Sequence, residues 1–155
     1  MTYQYRTQAR KLALQALCAY EAVGDGFREQ LGRFLSDDEI LSDIGIASPP
    51  EAEIVRFAHR LTQGAWSRRG ELDRRIEGSA AHWSLARMTP VDRNILRLGL
   101  FELLEPVVDA PPAAIISEAL ELARVFGDTD SPAFVNGVLD AARRQIDHER
   151  ASPAT

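Results

Sequence analysis

The stretch MTPVDRNILRLGLFELL, residues 88–104, decides the fold. Thr89 stands where an N-cap belongs, Pro90 takes the first helical position, and Asp92 falls three residues after the cap, a short version of the capping box. The predicted helix runs from Pro90 to about Glu105, where Pro106 stops it. At about 100° per residue, Val91, Ile95, Leu96, Leu98, Leu100, Leu103 and Leu104 spread over most of the circumference. They leave only a narrow strip for Arg93, Asn94 and Arg97. A helix apolar on nearly all sides is surrounded by other helices. This one is therefore the expected hub of an all-helical protein. Gly99 costs about 1 kcal/mol of helix propensity against Ala, which implies a close crossing with a neighbour.

The flanking sequence supplies those neighbours. From Tyr5 to Val23, Leu12, Ala13, Ala16, Leu17 and Tyr20 recur at helical spacing, and Gly24-Asp25-Gly26 ends the run. A shorter helix carries Phe27, Leu31, Phe34 and Leu35. The acidic stretch from Ser36 to Ser48 reads as a connecting loop with at most one helical turn. Ser48 as cap and Pro49 as first residue predict a third helix, with Ile54, Ala58, Leu61 and Ala65 on one face. It is expected to continue through Leu72 and Ile76 to about Gly78, with Gly64 and Gly70 as candidate kinks. Trp83 and Leu85 belong to a short turn leading into the hub. After a tight connection over Val107–Pro112, Pro112 opens a helix with Ile115, Ile116, Ala119, Leu122, Ala123 and Phe126 inward. Gly127 stops it. Ser131 then caps the last helix, which buries Phe134, Val135, Val138, Leu139, Ala142 and Ile146. Gly137 again implies close contact. No internal repeat and no strand-like alternation appear, so the expectation is about six main helices plus a short turn.

Composition bounds the function classes. The chain has 155 residues, the size of one ordinary domain. Its net charge is −5, so no global basic field advertises nucleic-acid binding. The single cysteine, Cys18, excludes an intrachain disulfide framework and points to a reducing, cytoplasmic compartment. No apolar run reaches a membrane-spanning length, and the N-terminus lacks a signal-peptide core. Of the basic residues only Lys11 is a lysine.

No constellation in the sequence carries enzyme chemistry. His59, His82 and His148 are far apart and Cys18 has no nearby partner, so no metal spacing exists and no metal is expected. Cys18 lies beside core positions and reads as a structural cysteine rather than a nucleophile. No phosphate-binding Gly-rich loop follows a strand. Glu118 and Glu121 alternate with Ser117 and Arg124 and read as a solvated face. The residues therefore imply a helical binding or assembly protein, not an enzyme, with no cofactor.

One local feature stands out. Residues 1–20 contain Arg6, Arg10 and Lys11 and no acid; Glu21 is the first. Arg6 and Arg10 are i and i+4, and so share a helix face. Gln8 and Gln15 add neutral hydrogen-bonding capacity. Such an end can contact RNA phosphates and stack guanidinium planes on unpaired bases. A solubilising helix start explains the same residues without a ligand. A second basic group, Arg56, Arg60, Arg68, Arg69, Arg74 and Arg75, is mixed with Glu71 and Asp73 and reads as a charged outer face.

Four segments resemble the NusB family of bacterial transcription antitermination factors, in that family's order: ARKLALQAL, ELDRRI, WSLARMTPVDRNILRLGLFELL and AIISEALELARVFGDTDSPAFVNGVLD. In the last, EALELA, FG, DSP and FVNGVLD fall together. The resemblance implies an all-helical fold of two three-helix bundles packed roughly perpendicular. It implies one NusB-like domain over residues 1–150; the tail over 151–155 is expected to be frayed, as chain ends commonly are. It also implies a role: such proteins pair with ribosomal protein S10, bind boxA-type single-stranded RNA, and help RNA polymerase, with other Nus factors, resist termination, notably on ribosomal RNA operons.

By position, the family's arginine-rich start falls on Arg6, Arg10 and Lys11, with Gln8 and Gln15 beside them. The FG-x-x-DSP-x-FVNG region offers Asp130, Ser131 and Phe134 as the other part of the RNA surface, with Phe134 equally readable as core. The S10 surface is expected on the C-terminal bundle, including the polar strip of the hub. The chain departs from the family where Thr7 and Gln8 interrupt the arginines, and where Cys18 replaces the aromatic residue that commonly follows ALQAL. Fewer charges release fewer counterions and weaken phosphate binding. The other readings are an assembly module, such as a homodimer covering the basic start, with weak or lost RNA binding, and an accessory domain of the kind fused ahead of RNA methyltransferase domains.

Overall fold

A computed structural model describes residues 2–105 and 110–152. These residues hold eight α-helices, two 3-10 turns and no strand. In order they are α1 (Tyr3–Val23), a 3-10 turn (Asp25–Gln30), α2 (Leu31–Phe34), α3 (Asp38–Asp43), α4 (Ala52–Ser67), α5 (Arg69–Ser79), a second 3-10 turn (Leu85–Arg87), α6 (Pro90–Leu104), α7 (Pro112–Phe126) and α8 (Ser131–Ala151). The all-helical class is as the sequence implies. The count exceeds six because the acidic stretch forms α3 and the long third helix is two, α4 and α5. The chain divides into two compact units, Met1–Ser67 and Arg68–Thr155.

The first unit is built on α1 against α4. The hydroxyl of Thr2 caps α1 by accepting the Tyr5 N–H at 3.2 Å. Gly24, at φ +92°, ends it in a conformation that favours glycine. Leu12, Ala13, Ala16, Leu17 and Tyr20 of α1 are buried, as are Ile54, Phe57, Ala58, Leu61 and Ala65 of α4. An aromatic cluster closes one end. Trp66 stacks on Tyr20 at 4.7 Å, Phe27 meets Tyr20 edge-on at 4.9 Å, and the Trp66 indole N–H donates to Asp25 at 2.8 Å. Asp37 caps α3 by accepting the Glu39 and Ile40 N–H groups at 3.0 and 3.2 Å.

The start of the third helix differs from expectation. The helix begins at Ala52, not Pro49, and the carbonyl of Glu51 accepts its first N–H groups, from Ile54 and Val55. Pro50 is the reason, because a proline disfavours helical backbone in the residue before it, here Pro49. The Ser48–Pro49 peptide is cis, and the Ser48 hydroxyl bonds the Asp38 carboxylate instead of capping α4. The later interruption falls at Arg68, at φ −103° and ψ 10°, and not at Gly64 or Gly70.

In the second unit α6 packs against α5, α7 and α8. The Thr89 hydroxyl accepts the Asp92 N–H at 3.1 Å, the predicted cap. Ile95, Leu96, Leu98, Leu100, Phe101 and Leu103 are buried around the hub. A Cβ placed on Gly99 would lie 3.0 Å from Leu139 Cδ1 on α8 and 3.6 Å from Ala119 Cβ on α7, which is the predicted close crossing. Gly137 is different: a Cβ there meets nothing within 4 Å, so its expected close contact is absent.

The polar strip of α6 also turns inward. Arg97 is only 6 % exposed, and its Nε and Nη2 donate to the two Asp73 carboxylate oxygens at 2.7 and 2.9 Å. Buried Asn94 accepts from Arg97 Nη1 at 3.1 Å and donates to the Pro90 carbonyl at 2.9 Å. Arg93 donates to the Leu85 and Met88 carbonyls, each at 2.9 Å, tying the 3-10 turn to the hub. These side chains were expected to serve a partner surface. The hydrogen bonds just described stay within the unit, with Asn94 and Arg97 buried and Arg93 half-buried.

Gly127 is the C-cap of α7, and space there forbids a side chain: a Cβ would lie 2.6 Å from Ser131 Oγ and 2.8 Å from the Ala123 carbonyl. Ser131 is the first residue of α8 rather than its cap, and its hydroxyl reaches back to accept the Asp128 N–H at 2.9 Å. Val135, Val138, Leu139, Ala142 and Ile146 are buried as expected, while Phe126 and Phe134 are half-buried. The expected stop at Pro106 and most of the 107–112 connection lie outside the described residues. α8 reaches Ala151, the start of the expected frayed tail, and the rest of that tail beyond Ser152 lies outside them too.

Candidate nucleic-acid interface

The predicted residues fall on both units, and each group stands on its own geometry. On α1, Gln4, Gln8, Lys11, Gln15 and Cys18 follow a four-three spacing that keeps them within a narrow stripe of the helix. Gln4 is exposed and the other four are half-buried. Lys11 supplies the stripe's positive charge. Arg6 is half-buried, and its Nε is shielded from solvent with no hydrogen-bond partner among the described residues.

Arg10 departs from the expected exposed pair with Arg6. It is 3 % exposed, and its guanidinium carbon lies 5.8 Å from the centre of the Phe57 ring. The shared face is real, but its C-terminal end runs into the α1–α4 contact. The charge there is set against an aromatic face, where a cation is held by the ring quadrupole. Acids also approach this helix start. Partial burial, then the neighbouring Glu51 and Glu53, push the Tyr5 phenol above its ordinary range.

In the second unit, Asp130, Ser131 and Phe134 sit together at the corner between α7 and α8, and line a cavity of about 340 Å³. Its other walls are Trp83, Arg87, Met88, Thr89, Asp92 and Asp128. Trp83 is 52 % exposed and meets Phe134 edge-on, with ring centres 6.5 Å apart. Phe134 therefore stands between the two readings, part core and part wall. Asp130 is exposed; Ser131 is buried and holds the corner through Asp128.

Sequence reading missed Trp83, Arg87 and Asp92 as members of this cluster. Trp83 and Arg87 sit in a turn taken only as a lead-in to the hub, and Asp92 was explained by the cap. A capping box would have Asp92 reach back to Thr89. In the structure its Oδ1 is shielded from solvent and has no hydrogen-bond partner among the described residues. Leaving such an oxygen unbonded costs about 1–3 kcal/mol. A tryptophan four residues before an arginine, in a turn with no helical apolar pattern of its own, was the signal available.

The second basic group is a charged outer face where its partners are visible. Arg68 bonds Glu71 at 2.8 Å and Glu105 at 2.7 Å, and Arg75 bonds Glu149 at 3.0 Å. The hydrogen bond from Arg68, then the charges of Arg68, Arg75 and Arg74, hold the Glu71 carboxyl below the usual glutamate range. Among the described residues no His, Cys, Asp and Glu cluster could hold a metal ion, and no helix is long and apolar enough to cross a membrane.

Fold and side chains together define an all-helical protein whose notable surfaces suit binding through polar and aromatic groups. The sequence model of the NusB family matches residues 7–144. A transcription antitermination protein NusB from Anaeromyxobacter dehalogenans (strain 2CP-1 / ATCC BAA-258) is 42% identical over 135 residues, covering 87% of each chain. One from Solibacter usitatus (strain Ellin6076) is 40% identical over 149 residues, covering 96% of this chain and 95% of the relative. Among solved structures, T. maritima NusB superposes with a TM-score of 0.71 at 32% identity, over 90% of this chain and 91% of that one. A chain from a crystal structure of the antitermination factors NusB and NusE in complex with double-stranded RNA gives 0.73 at 27% identity, over 93% and 99%. This chain belongs to the NusB family of transcription antitermination proteins.

Proposed function

We propose that the chain acts with ribosomal protein S10, the NusE of the related complex, to bind boxA-type single-stranded RNA. The complex would help RNA polymerase, with other Nus factors, resist termination, notably on ribosomal RNA operons. The observation that carries this reading is the family match over residues 7–144, supported by structural likeness to a chain crystallised with NusE and RNA. Mechanistically the protein is a clamp that transforms nothing. Lys11 and Arg6 position the RNA backbone, and Gln8 and Gln15 offer hydrogen bonds beside them. Asp130 and Phe134 supply polar and aromatic contacts to bases, with Ser131 fixing their corner. Arg10 holds α1 against Phe57 and so sets where Arg6 and Lys11 stand.

Fluorescence anisotropy of labelled boxA RNA, titrated with and without S10 at several salt concentrations, tests the reading. Binding should tighten with S10 and favour boxA over a scrambled strand and over a duplex. Arg6→Ala with Lys11→Ala should flatten the log–log salt dependence by about 1.4, at about 0.7 per single-strand phosphate contact. An unchanged slope would remove α1 from the interface. The burial of Arg10 gives the second reading its weight, since it leaves α1 with little accessible charge. If S10 binds and RNA does not, the chain is an assembly module, as S10 partner or homodimer, and light scattering across a concentration series separates those forms.

A further inference from the structure

The cavity at the α7–α8 corner has a chemistry more specific than a general RNA surface. Its aromatic wall is Trp83 against Phe134, half open to solvent. Asp92 lines it; its Oδ1 is shielded from solvent with no hydrogen-bond partner among the described residues, so its other carboxylate oxygen is the one left to meet a ligand. Asp128 and Asp130 add two exposed carboxylates with no cation paired to either among the described residues, and Arg87 is an exposed guanidinium with no acid paired to it among them. A carboxylate only accepts hydrogen bonds, so this wall attracts N–H donors and repels carbonyl oxygens. The volume, about 340 Å³, is at the small end of ligand sites.

We propose that this cavity is a nucleobase pocket, selective for a base edge rich in N–H donors, guanine above all. The inference rests on the RNA-binding reading and deepens it. A nucleotide carries a flat π surface, a polar edge and a phosphate, and the cavity offers a counterpart to each. Exposed Trp83 takes the face of the base, as aromatic side chains do for unpaired bases, and Phe134, set at 75° to it, meets the base edge-on. Guanine places two donors, N1–H and the N2 amine, side by side, which matches a carboxylate. Uracil flanks its one N–H with two carbonyl oxygens, which face an acceptor-only wall. Arg87 takes the phosphate and offsets the repulsion between the acids and the RNA backbone. An arginine or lysine from a protein partner would also suit the acids, but it would meet Arg87, and it has no use for a free guanidinium.

The test uses the full chain. GMP, AMP, CMP and UMP are titrated by NMR, following the indole N–H signals of Trp66 and Trp83, assigned with Trp83→Phe. In parallel, wild type, Asp92→Asn and Trp83→Ala are titrated with boxA RNA in the presence of S10, with circular dichroism as the folding control. GMP should move the Trp83 signal, leave the Trp66 signal in place, and bind about tenfold more tightly than UMP. Asn adds a donor at nearly the same size, so Asp92→Asn should erase that preference. Both variants should weaken RNA binding about tenfold, the effect of losing one charge-assisted hydrogen bond or one stacked base, with S10 binding unchanged. If wild type binds boxA RNA but the variants match it and GMP leaves Trp83 unmoved, the pocket is refuted while the antitermination reading survives. If wild type binds no RNA yet GMP moves Trp83, the pocket stands and that reading fails. Variants that weaken S10 binding and spare RNA would assign the cavity to a protein cation and overturn the proposal.

Discussion

Asp73→Ala strikes the contact that anchors the hub to its neighbour. Arg97 of α6 donates twice to Asp73 of α5, at 2.7 and 2.9 Å, with side chains 7 % and 22 % exposed. Paired N–H···O bonds across planar groups are the strongest form of ion pair. Removing the carboxylate takes two charge-assisted bonds from a guanidinium deep in the unit, while its bond to Asn94 remains. Breaking a buried pair from one side costs about 3–5 kcal/mol, because the remaining charge loses the carboxylate that offset its desolvation. Asp73 is partly open, so water can enter where it stood, and about 3 kcal/mol is the fitting end. At this chain length that lowers Tm by roughly 6–12 °C.

The exposure difference also makes the pair asymmetric. Arg97→Met leaves behind the more exposed Asp73, which water can solvate, so it should cost less than Asp73→Ala. The double variant should recover most of the loss, since apolar replacements of buried pairs are often neutral. Differential scanning calorimetry on the four proteins closes the cycle and gives the coupling directly. A fall of less than about 2 °C for Asp73→Ala would refute the reasoning, and so would an Arg97→Met variant worse than Asp73→Ala.

Two glycines should respond with opposite signs in urea unfolding. Gly127→Ala drives a Cβ to 2.8 Å from the Ala123 carbonyl and 2.6 Å from Ser131 Oγ, so the Asp128–Ser131 bond must give way, at about 1–3 kcal/mol. Gly137→Ala meets nothing within 4 Å in an exposed helix interior and should stabilise by up to about 1 kcal/mol. Acid unfolding should report on Glu71. Its carboxyl is held below the usual range first by the Arg68 hydrogen bond, so its contribution is full above the ordinary glutamate range and fades as pH falls through the lowered value. Glu71→Gln should therefore narrow the stability gap to wild type as the solution is acidified, and a gap that stays constant down to unfolding would count against the pairing.

The hub was legible in the sequence because two independent signals agreed. Thr89-Pro90 fixed where α6 starts, and apolar residues on nearly every side said that helices surround it. Gly99 was legible for the same reason, since a costly glycine inside a buried helix has few other uses. Gly137 shows the limit. The same residue in the same kind of helix faces open space, and only the position of neighbours separates the two cases. The error at Pro49 was local: the cap-and-proline pattern was read without the second proline, whose ring controls the backbone before it. Trp83, Arg87 and Asp92 were invisible as a group because their meeting with Asp130 and Phe134 is created by the packing of α6, α7 and α8.

Arginine is where pattern reading and packing diverge most. Arg10 and Arg97 each occupy the polar side of an amphipathic stretch, and sequence places both in water. The structure sets one over Phe57 and locks the other to Asp73. A long side chain with a delocalised charge can enter an interior if a ring or a carboxylate waits there, and the helix period does not encode that. The consequence reaches the proposed function. On a chain of net charge −5, α1 keeps Lys11 and a half-shielded Arg6 as its accessible cations. Two phosphate contacts give a salt slope of only about −1.4, weak binding for a sequence-specific RNA site. An RNA clamp built this way needs a second protein to bring the missing charge, and base selection then rests on aromatic and carboxylate groups rather than on the backbone. Under the proposed function, the sparse basic helix would hold RNA backbone and the acid-lined aromatic cavity would read a base, each on its own unit.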